Sequence, residues 1–178
     1  MYSMTSPDIS PFNGGWSYTQ KEMNSLFRFI EYKDDYNILE FGAGDSTQKL
    51  WHHFKKYTKN LFYMVFESNP SYLPPIPELK PVVYDENNMD TLEIPEGKFD
   101  LILIDGPNGD RRRKWYSKIR KSVKPGTLII IDDFNHYACF SEELDKNFEY
   151  ETLDHVDTPF VPYGEHSWKI VKVIRPII

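Results

Sequence analysis

Aspartates follow two apolar stretches of the sequence at the point where each stretch ends. Asp105 ends the run Phe99–Asp105, and Asp132 ends the run Thr127–Asp132 and is followed by Asp133. If both runs are neighbouring buried strands of a parallel sheet, the three carboxylates converge at one edge of that sheet. Carboxylates crowded in a cleft repel one another, so the cluster requires a shared proton, a basic partner or a hard cation such as Mg²⁺. A cation there would clamp two substrate hydroxyls and favour deprotonation of one of them.

A glycine turn follows the first apolar run. The segment Glu40–Ser46 reads Glu-Phe-Gly-Ala-Gly-Asp-Ser and leads into a predicted helix. Gly42 and Gly44 allow the backbone to approach a ligand closely, and in an open parallel sheet this crevice is where a nucleotide-like ligand binds. The third glycine of a dinucleotide fingerprint would fall on Thr47, so NAD is the weaker interpretation, and no lysine follows that would make a Walker loop.

Two more acids end the second and third apolar runs. Glu67 lies about two dozen residues after the glycines, where a carboxylate can accept hydrogen bonds from both ribose hydroxyls of a nucleoside. Asp85 follows the third run in the same way. A solvated strand end is the alternative for each acid. We favour a ligand-binding role for Glu67 and leave both interpretations open for Asp85.

The pattern E-x-G-x-G-x-S at Glu40–Ser46 resembles motif I of the class I S-adenosylmethionine-dependent methyltransferases. Ser46 stands where a third glycine is common in that family and is included among the cofactor-binding candidates. The resemblance implies a Rossmann-like fold with S-adenosylmethionine as cofactor. It assigns Glu40, Gly42 and Gly44 to the amino-acid end and the ribose of that cofactor.

The resemblance extends to the later acids and implies a role for each. Asp85 or its neighbour Glu86 would lie near the adenine amino group. Asp105, Asp132 and Asp133 match the ligands of the divalent-metal O-methyltransferases, both the catechol type and the macrocin type that methylates sugar hydroxyls, which implies a site for Mg²⁺ or Mn²⁺. In metal-independent relatives an aspartate in the place of Asp105 positions cofactor or acceptor, and this alternative stays open.

Three consecutive arginines follow the fourth run. The segment Asp105–Arg113 is a glycine-rich turn that leads into a predicted helix, and positive charge at a helix start opposes the helix dipole, which suggests an anionic partner. Its Asp-Gly-Pro start is similar to that of the glucuronoxylan methyltransferases, which act on a sugar acid. Arg111 and Arg112 are therefore candidates for reading the substrate. A solvated basic face paired with nearby acids is equally consistent.

A general base and a substrate wall have candidates as well. His136, shortly after the aspartate pair, is better placed as a base than His166 in the loop before the last strand. Trp16 and Tyr18 could stack on a sugar ring, although core packing explains aromatic residues equally well. Residues 1–20 contain a glycine-rich loop, and we expect them to form a lid over the cofactor or a leader.

Length and charge limit the classes of function. The 178 residues suit one domain with one site, and 21 basic against 27 acidic residues give a net charge of −6, which disfavours a general nucleic-acid binder. The single cysteine excludes an internal disulfide framework, and no apolar run approaches the length of a membrane helix. We expect a cytoplasmic protein, in the host cytoplasm if the source is viral, without a membrane partner; self-association is left open.

Alternating apolar runs and helical segments predict the elements that position these residues. The pattern indicates a doubly wound, Rossmann-like α/β fold with a mostly parallel seven-stranded sheet and an antiparallel C-terminal edge strand. Five parallel strands are expected at 37–41, 61–67, 80–84, 99–105 and 127–132, and an antiparallel pair at 150–156 and 167–174. Helices are expected at 23–32, 46–57, 111–123 and 141–147. Four prolines between residues 70 and 77 argue against a regular helix in that connection.

These features together favour an enzyme that transfers a methyl group from S-adenosylmethionine to a hydroxyl of a sugar or glycan precursor, with a divalent metal as an option. A catechol-like small-molecule O-methyltransferase shares the same acidic cluster and is the first alternative. A non-catalytic Rossmann-like binding subunit is the second.

Overall fold

The computed structural model describes residue 18, residues 20–160 and residues 164–177, with the side chains of residues 20, 156–160 and 164–166 excepted. Trp16, the predicted leader or lid that contains it, and the side chain of His166 lie outside these described parts. No helix within them is both long enough and apolar enough to span a membrane.

A seven-stranded sheet forms the centre of the fold and confirms the predicted architecture. Its strand order is β3-β2-β1-β4-β5-β7-β6. The first five strands pair in parallel, and β7 runs antiparallel between β5 and β6. The strand bounds are β1 Asp35–Phe41, β2 Asn60–Glu67, β3 Lys80–Val83, β4 Leu101–Ile104, β5 Leu128–Asp132, β6 Phe148–Phe160 and β7 Gly164–Pro176.

Helices cover both faces of this sheet. Leu26 and Leu50 pack from the first two helices onto one face, and Trp115 and Leu144 pack from the last two onto the other. The helix bounds are α1 Gln20–Phe29, α2 Asp45–Tyr57, α3 Lys114–Lys118 and α4 Cys139–Asn147. Short 3₁₀ turns lie at Pro70–Tyr72, Glu86–Thr91, Gly109–Arg113, Ile119–Lys121 and Phe134–His136. The proline-rich connection therefore lacks a regular helix, as predicted.

The predicted helix at 111–123 is wrong as a single regular helix. The segment consists of a 3₁₀ turn, the short helix α3 and a second 3₁₀ turn. Side chains at its start fold back onto the preceding loop: Arg112 Nε donates to the carbonyl of Pro107 at 2.8 Å, and Trp115 Nε1 donates to the carbonyl of Gly106 at 2.8 Å. These contacts with the loop five to nine residues earlier override the local helical preference.

Alternation along the strands places several acids on the face covered by α1 and α2. Ile38 in β1 and Ile130 in β5 belong to the core on this face. Glu40 and Asp132 lie two residues further along the same strands, so their side chains emerge on the same side. Glu67, the last residue of β2, follows the same pattern. A row of carboxylates therefore lies at the carboxyl edge of the parallel strands.

Candidate active site

Gly42 brings the turn after β1 against the loop after β4. Its φ is +94°, and a Cβ placed on it would lie 2.8 Å from the backbone nitrogen of Gly106. Gly106 meets the same restriction, since its own Cβ would lie 2.8 Å from Cα of Gly42. The two glycines thus allow backbone-to-backbone contact next to Asp105. Sequence reasoning missed Gly106 as a site residue, although a glycine directly after a strand-end acid was a usable signal.

Gly44 faces open space instead. A Cβ added to it would meet no atom within 4 Å, and its backbone nitrogen donates to Thr47 Oγ1 at 3.0 Å as α2 begins. Ser46, another cofactor-binding candidate, lies buried in the first turn of α2. The open side of Gly44 is therefore the part of this turn where a ligand can approach the backbone.

Glu67 is held in place by backbone amides. Its Oε2 accepts from the N–H of Ala43 at 2.6 Å, and its Oε1 accepts from the N–H of Asn69 at 2.7 Å. A carboxylate has about four acceptor positions, so two amides leave capacity for further donors such as ribose hydroxyls. Glu67, the acid predicted to bind a nucleoside, is therefore oriented in part by the glycine turn itself.

Glu40 is fully buried beneath that turn. The hydroxyl of Tyr63 donates to its Oε2 at 2.7 Å, whereas its Oε1 makes no hydrogen bond of normal geometry within the described residues. Burial raises the pKa of Glu40 to about 8 against the opposing hydrogen bond from Tyr63. Burial therefore favours the protonated form of Glu40, and its Oε1 is a buried acceptor close to the glycine turn.

An open cleft of about 680 Å³ lies beside the end of β3. Pockets of about 300–1,000 Å³ suit small ligands such as nucleosides. Asp85 is at its wall, where its carboxylate accepts from the backbone N–H of Asn87 at 2.9 Å. Glu86 and Arg111 form an ion pair of 2.7 Å there. The cleft is lined by Ser68, Val83, Tyr84, Asp85, Glu86, Asn87 and Arg111.

The three predicted aspartates do converge, and a buried arginine lies among them. Nitrogens of the Arg112 guanidinium lie 3.7 Å from Asp105 Oδ1, 3.7 Å from Asp132 Oδ2 and 3.2 Å from Asp133 Oδ2. The arginine side chain is only 4% exposed. The sequence left a shared proton, a basic partner or a hard cation as ways to neutralise this cluster. The structure contains a basic partner, Arg112.

The surroundings of Asp105 also raise the pKa of its carboxyl. Burial raises the pKa of Asp105 well above its usual range, the negative charge of Asp132 raises it further, and Arg112 opposes both. A hydrogen bond between the two carboxyls acts in the same direction, because one of them must be protonated to donate it. Burial and the charge of Asp132 therefore favour the protonated form of Asp105, which relieves the repulsion between the two carboxyls.

This geometry does not fit the metal site predicted at Asp105, Asp132 and Asp133. Within the described residues, no three or more His, Cys, Asp or Glu side chains are arranged to hold a metal ion. The positive charge of Arg112 already lies within 4 Å of all three carboxylates and would repel a second cation. Arg112, predicted to read a substrate, has its guanidinium buried on this cluster, and its role towards a substrate stays a prediction. Arg111, predicted to read a substrate too, lies on the cleft wall instead.

His136 lies at the rim of the cluster. Its Nδ1 is 3.1 Å from Asp133 Oδ1, and its side chain is 45% exposed. Asp133, which has a left-handed φ of 54°, contacts His136 through one carboxylate oxygen and Arg112 through the other. The predicted base therefore lies at the rim of the aspartate cluster, next to Asp133.

Tyr18 covers the cluster from the α1 side. Its ring stacks on Trp168 with 5.0 Å between the centroids, and its buried hydroxyl has no hydrogen-bond partner within the described residues. Burial raises its pKa, followed by the charges of Asp105 and Asp132, so the hydroxyl keeps its proton. A buried hydroxyl without a partner costs about 1–3 kcal/mol. Unlike the buried Tyr116 hydroxyl, that of Tyr18 is close enough to Asp105 and Asp132 for their charges to raise its pKa.

Comparisons with known proteins extend this description. No protein-family model matches the chain, and no curated protein matches it in sequence. Solved structures do match. The precorrin-6y C5,15-methyltransferase of Geobacter metallireducens is 15% identical with a TM-score of 0.62, and the alignment covers 92% of this chain and 93% of that one.

Two further structures agree. An rRNA methylase from Streptococcus thermophilus is 10% identical with a TM-score of 0.60, covering 87% of this chain and 96% of that one. The StiE O-MT is 13% identical with a TM-score of 0.61, covering 86% of this chain and 73% of that one. The chain therefore has the Rossmann-like fold of these methyltransferases.

Proposed function

We propose that this protein is an S-adenosylmethionine-dependent methyltransferase that acts on a hydroxyl of a sugar or glycan precursor. The observation that carries the proposal is the row of acids at the carboxyl ends of adjacent strands, Glu67, Glu40 and Asp105, beside the open side of Gly44. In open parallel sheets, ligands bind at this edge. The fold shared with several methyltransferases supports the same conclusion.

The residues present fit the cofactor along its length. Glu67 has acceptor capacity left for ribose hydroxyls, and the cleft beside Asp85 has the size for the adenine. The buried Oε1 of Glu40 and the open side of Gly44 suit the amino-acid end. When bound, S-adenosylmethionine supplies a methyl group that an acceptor oxygen can attack.

The acceptor side is built from Asp105, Asp132 and Tyr18. In-line positioning of the acceptor hydroxyl provides much of the rate in such a transfer. Asp105 accepts the hydrogen bond of that hydroxyl. The Asp105–Asp132 pair carries one proton at the start and takes up the proton of the acceptor hydroxyl as its second. A positioned general base contributes about 10²–10⁴-fold. His136 lies at the rim beside Asp133, where it can pass a proton to solvent.

The fold alone does not select the acceptor, because the similar structures include an rRNA methylase and a precorrin methyltransferase. The charge pattern supports a small or glycan acceptor over RNA. Phosphate backbones are bound by clustered unpaired cations. Several cations after β4 are paired instead, in the ion pairs Arg111–Glu86, Arg113–Asp110, Lys114–Asp90 and Lys121–Glu96. Lys118 and Arg120 in the same segment donate to backbone carbonyls. The catechol-like alternative differs from the sugar proposal only in acceptor, so an acceptor screen separates the two.

Calorimetric titration with S-adenosylhomocysteine tests the cofactor class. We expect micromolar affinity for the unmodified protein and at least a tenfold loss, about 1.4 kcal/mol, on Glu67→Ala. Glu96→Ala, which removes a solvent-exposed carboxylate, is the matched control and should bind normally. Absence of binding by a folded protein would overturn the proposal. Binding without turnover in a screen of sugars and catechols would favour the non-catalytic subunit.

A further inference from the structure

We propose that Arg112 is a built-in counter-cation for Asp105, Asp132 and Asp133, and that it takes the position which a divalent metal ion would otherwise occupy. The site then works without a bound metal. Arg112 acts as a positioning residue, because it orients the aspartates through its own contacts. The inference rests on the proposed function only for the role of the aspartates towards an acceptor.

The placement of Arg112 is built into the fold. Its Nε donates to the carbonyl of Pro107 at 2.8 Å, and its Nη1 donates to the carbonyl of Asp132 at 3.1 Å. These two carbonyls belong to the loop after β4 and to the end of β5. One guanidinium therefore ties together the two segments that carry the aspartates. A planar guanidinium is suited to such a role because its five donors have a fixed geometry.

The neighbouring arginines differ from it. Arg111 and Arg113 are each 51% exposed, and each pairs with a single acid at the surface. Arg112 is 4% exposed and lies within 4 Å of three acids. The three consecutive arginines thus divide into one internal cation and two surface cations.

A metal ion and Arg112 exclude each other on electrostatic and steric grounds. A magnesium ion requires oxygen ligands at about 2.0–2.1 Å in near-octahedral geometry. The space between the three carboxylates is instead taken by guanidinium nitrogens at 3.2–3.7 Å. Removal of the arginine should leave three carboxylates facing a vacated space, which is a suitable site for a hard cation.

Manganese chloride binding and thermal unfolding, measured without cofactor or acceptor, test this inference. We expect the unmodified protein to bind no Mn²⁺ in calorimetry and to keep its melting temperature in Mn²⁺ or EDTA. Arg112→Ala should lower the melting temperature. Mn²⁺ should bind this variant at least tenfold more tightly than the weakest affinity that the titration of the unmodified protein can detect, and it should restore part of the lost melting temperature. Arg113→Ala is the matched control and should resemble the unmodified protein.

Two results would overturn the inference. One is stoichiometric Mn²⁺ binding by the unmodified protein that is lost on Asp105→Asn. The other is a folded Arg112→Ala variant that Mn²⁺ neither binds nor stabilises. If Arg112→Ala does not fold, the titration of the unmodified protein and of Arg112→Lys decides, since a retained cation should keep Mn²⁺ out. Because none of these readouts involves methyl transfer, a failure of the proposed function leaves them interpretable.

Discussion

Acidic side chains have different surroundings in the two halves of the sheet edge. At the ends of β1 and β2, Glu40 and Glu67 are held by neutral donors, a tyrosine hydroxyl and backbone amides. At the ends of β4 and β5, Asp105 and Asp132 each lie 3.7 Å from the guanidinium of Arg112, and burial and the charge of Asp132 raise the pKa of Asp105. Neutral donors orient a carboxylate and leave it acceptor capacity, whereas a buried counter-charge neutralises it. The comparison suggests a ligand-holding half and a proton-handling half.

Replacement of Asp105 should give the largest effect and tests this division directly. We expect Asp105→Asn to lower kcat by about 10²–10⁴-fold, because it removes the group that takes the acceptor proton. The affinity for S-adenosylhomocysteine should stay within about twofold, a difference of about 0.4 kcal/mol. Asp110→Asn, in the same loop but exposed, is the control for both measurements.

A large loss of S-adenosylhomocysteine affinity on Asp105→Asn would assign Asp105 to the ligand-holding half. From the sequence, Asp105 could position either the cofactor or the acceptor, so this measurement separates the two roles.

Glu40 should impose a pH dependence on stability. Its pKa rises from 4.5 to about 8 on folding, chiefly by burial. Between these values the unfolded chain releases a proton that the native protein keeps, so the free energy of unfolding falls as the pH rises. Across this pH window the free energy of unfolding should fall by about 4–5 kcal/mol, since each pKa unit corresponds to about 1.36 kcal/mol.

Urea unfolding at several pH values from about 5 to 8 measures this slope. Glu40→Gln should reduce the pH dependence of the free energy of unfolding by the equivalent of nearly one bound proton. The slope that remains reports the Asp105–Asp132 pair. If Glu40→Gln leaves the slope unchanged, Glu40 is ionised in the native protein.

The hydroxyl of Tyr18 should give the smallest effect. Because it has no partner within the described residues, Tyr18→Phe should leave the free energy of unfolding unchanged or raise it by up to about 1 kcal/mol. The same change should weaken ligand binding or kcat/KM by about 3–10-fold, equivalent to about 0.6–1.4 kcal/mol. Tyr116→Phe removes another buried, unpartnered hydroxyl, in the core on the opposite face, and should not affect the ligand. Loss of stability without an effect on ligand would instead mean that the Tyr18 hydroxyl serves folding.

Much of the fold could be predicted from local patterns. The seven strands, the helix at 45–57 and the irregular proline-rich connection follow from alternation, turn residues and proline geometry, which depend on neighbours in the chain. The strand-end acids Glu40, Glu67, Asp105 and Asp132 could also be identified, because parallel strands bring their carboxyl ends to one edge. The segment at 109–121 could not, since contacts with the loop at 106–107 shape its start.

The sequence by itself determined which acids reach the sheet edge and where a glycine turn opens beside them. Only the tertiary structure decided what neutralises those acids. Three consecutive arginines are equivalent in sequence, but burial and three carboxylates within 4 Å single out Arg112. The difference between Arg112 and its neighbours depends on Asp105, Asp132 and Asp133, which lie 7, 20 and 21 residues from it in the sequence. Electrostatic pairing in a buried site acts through space, so no local pattern could have assigned it.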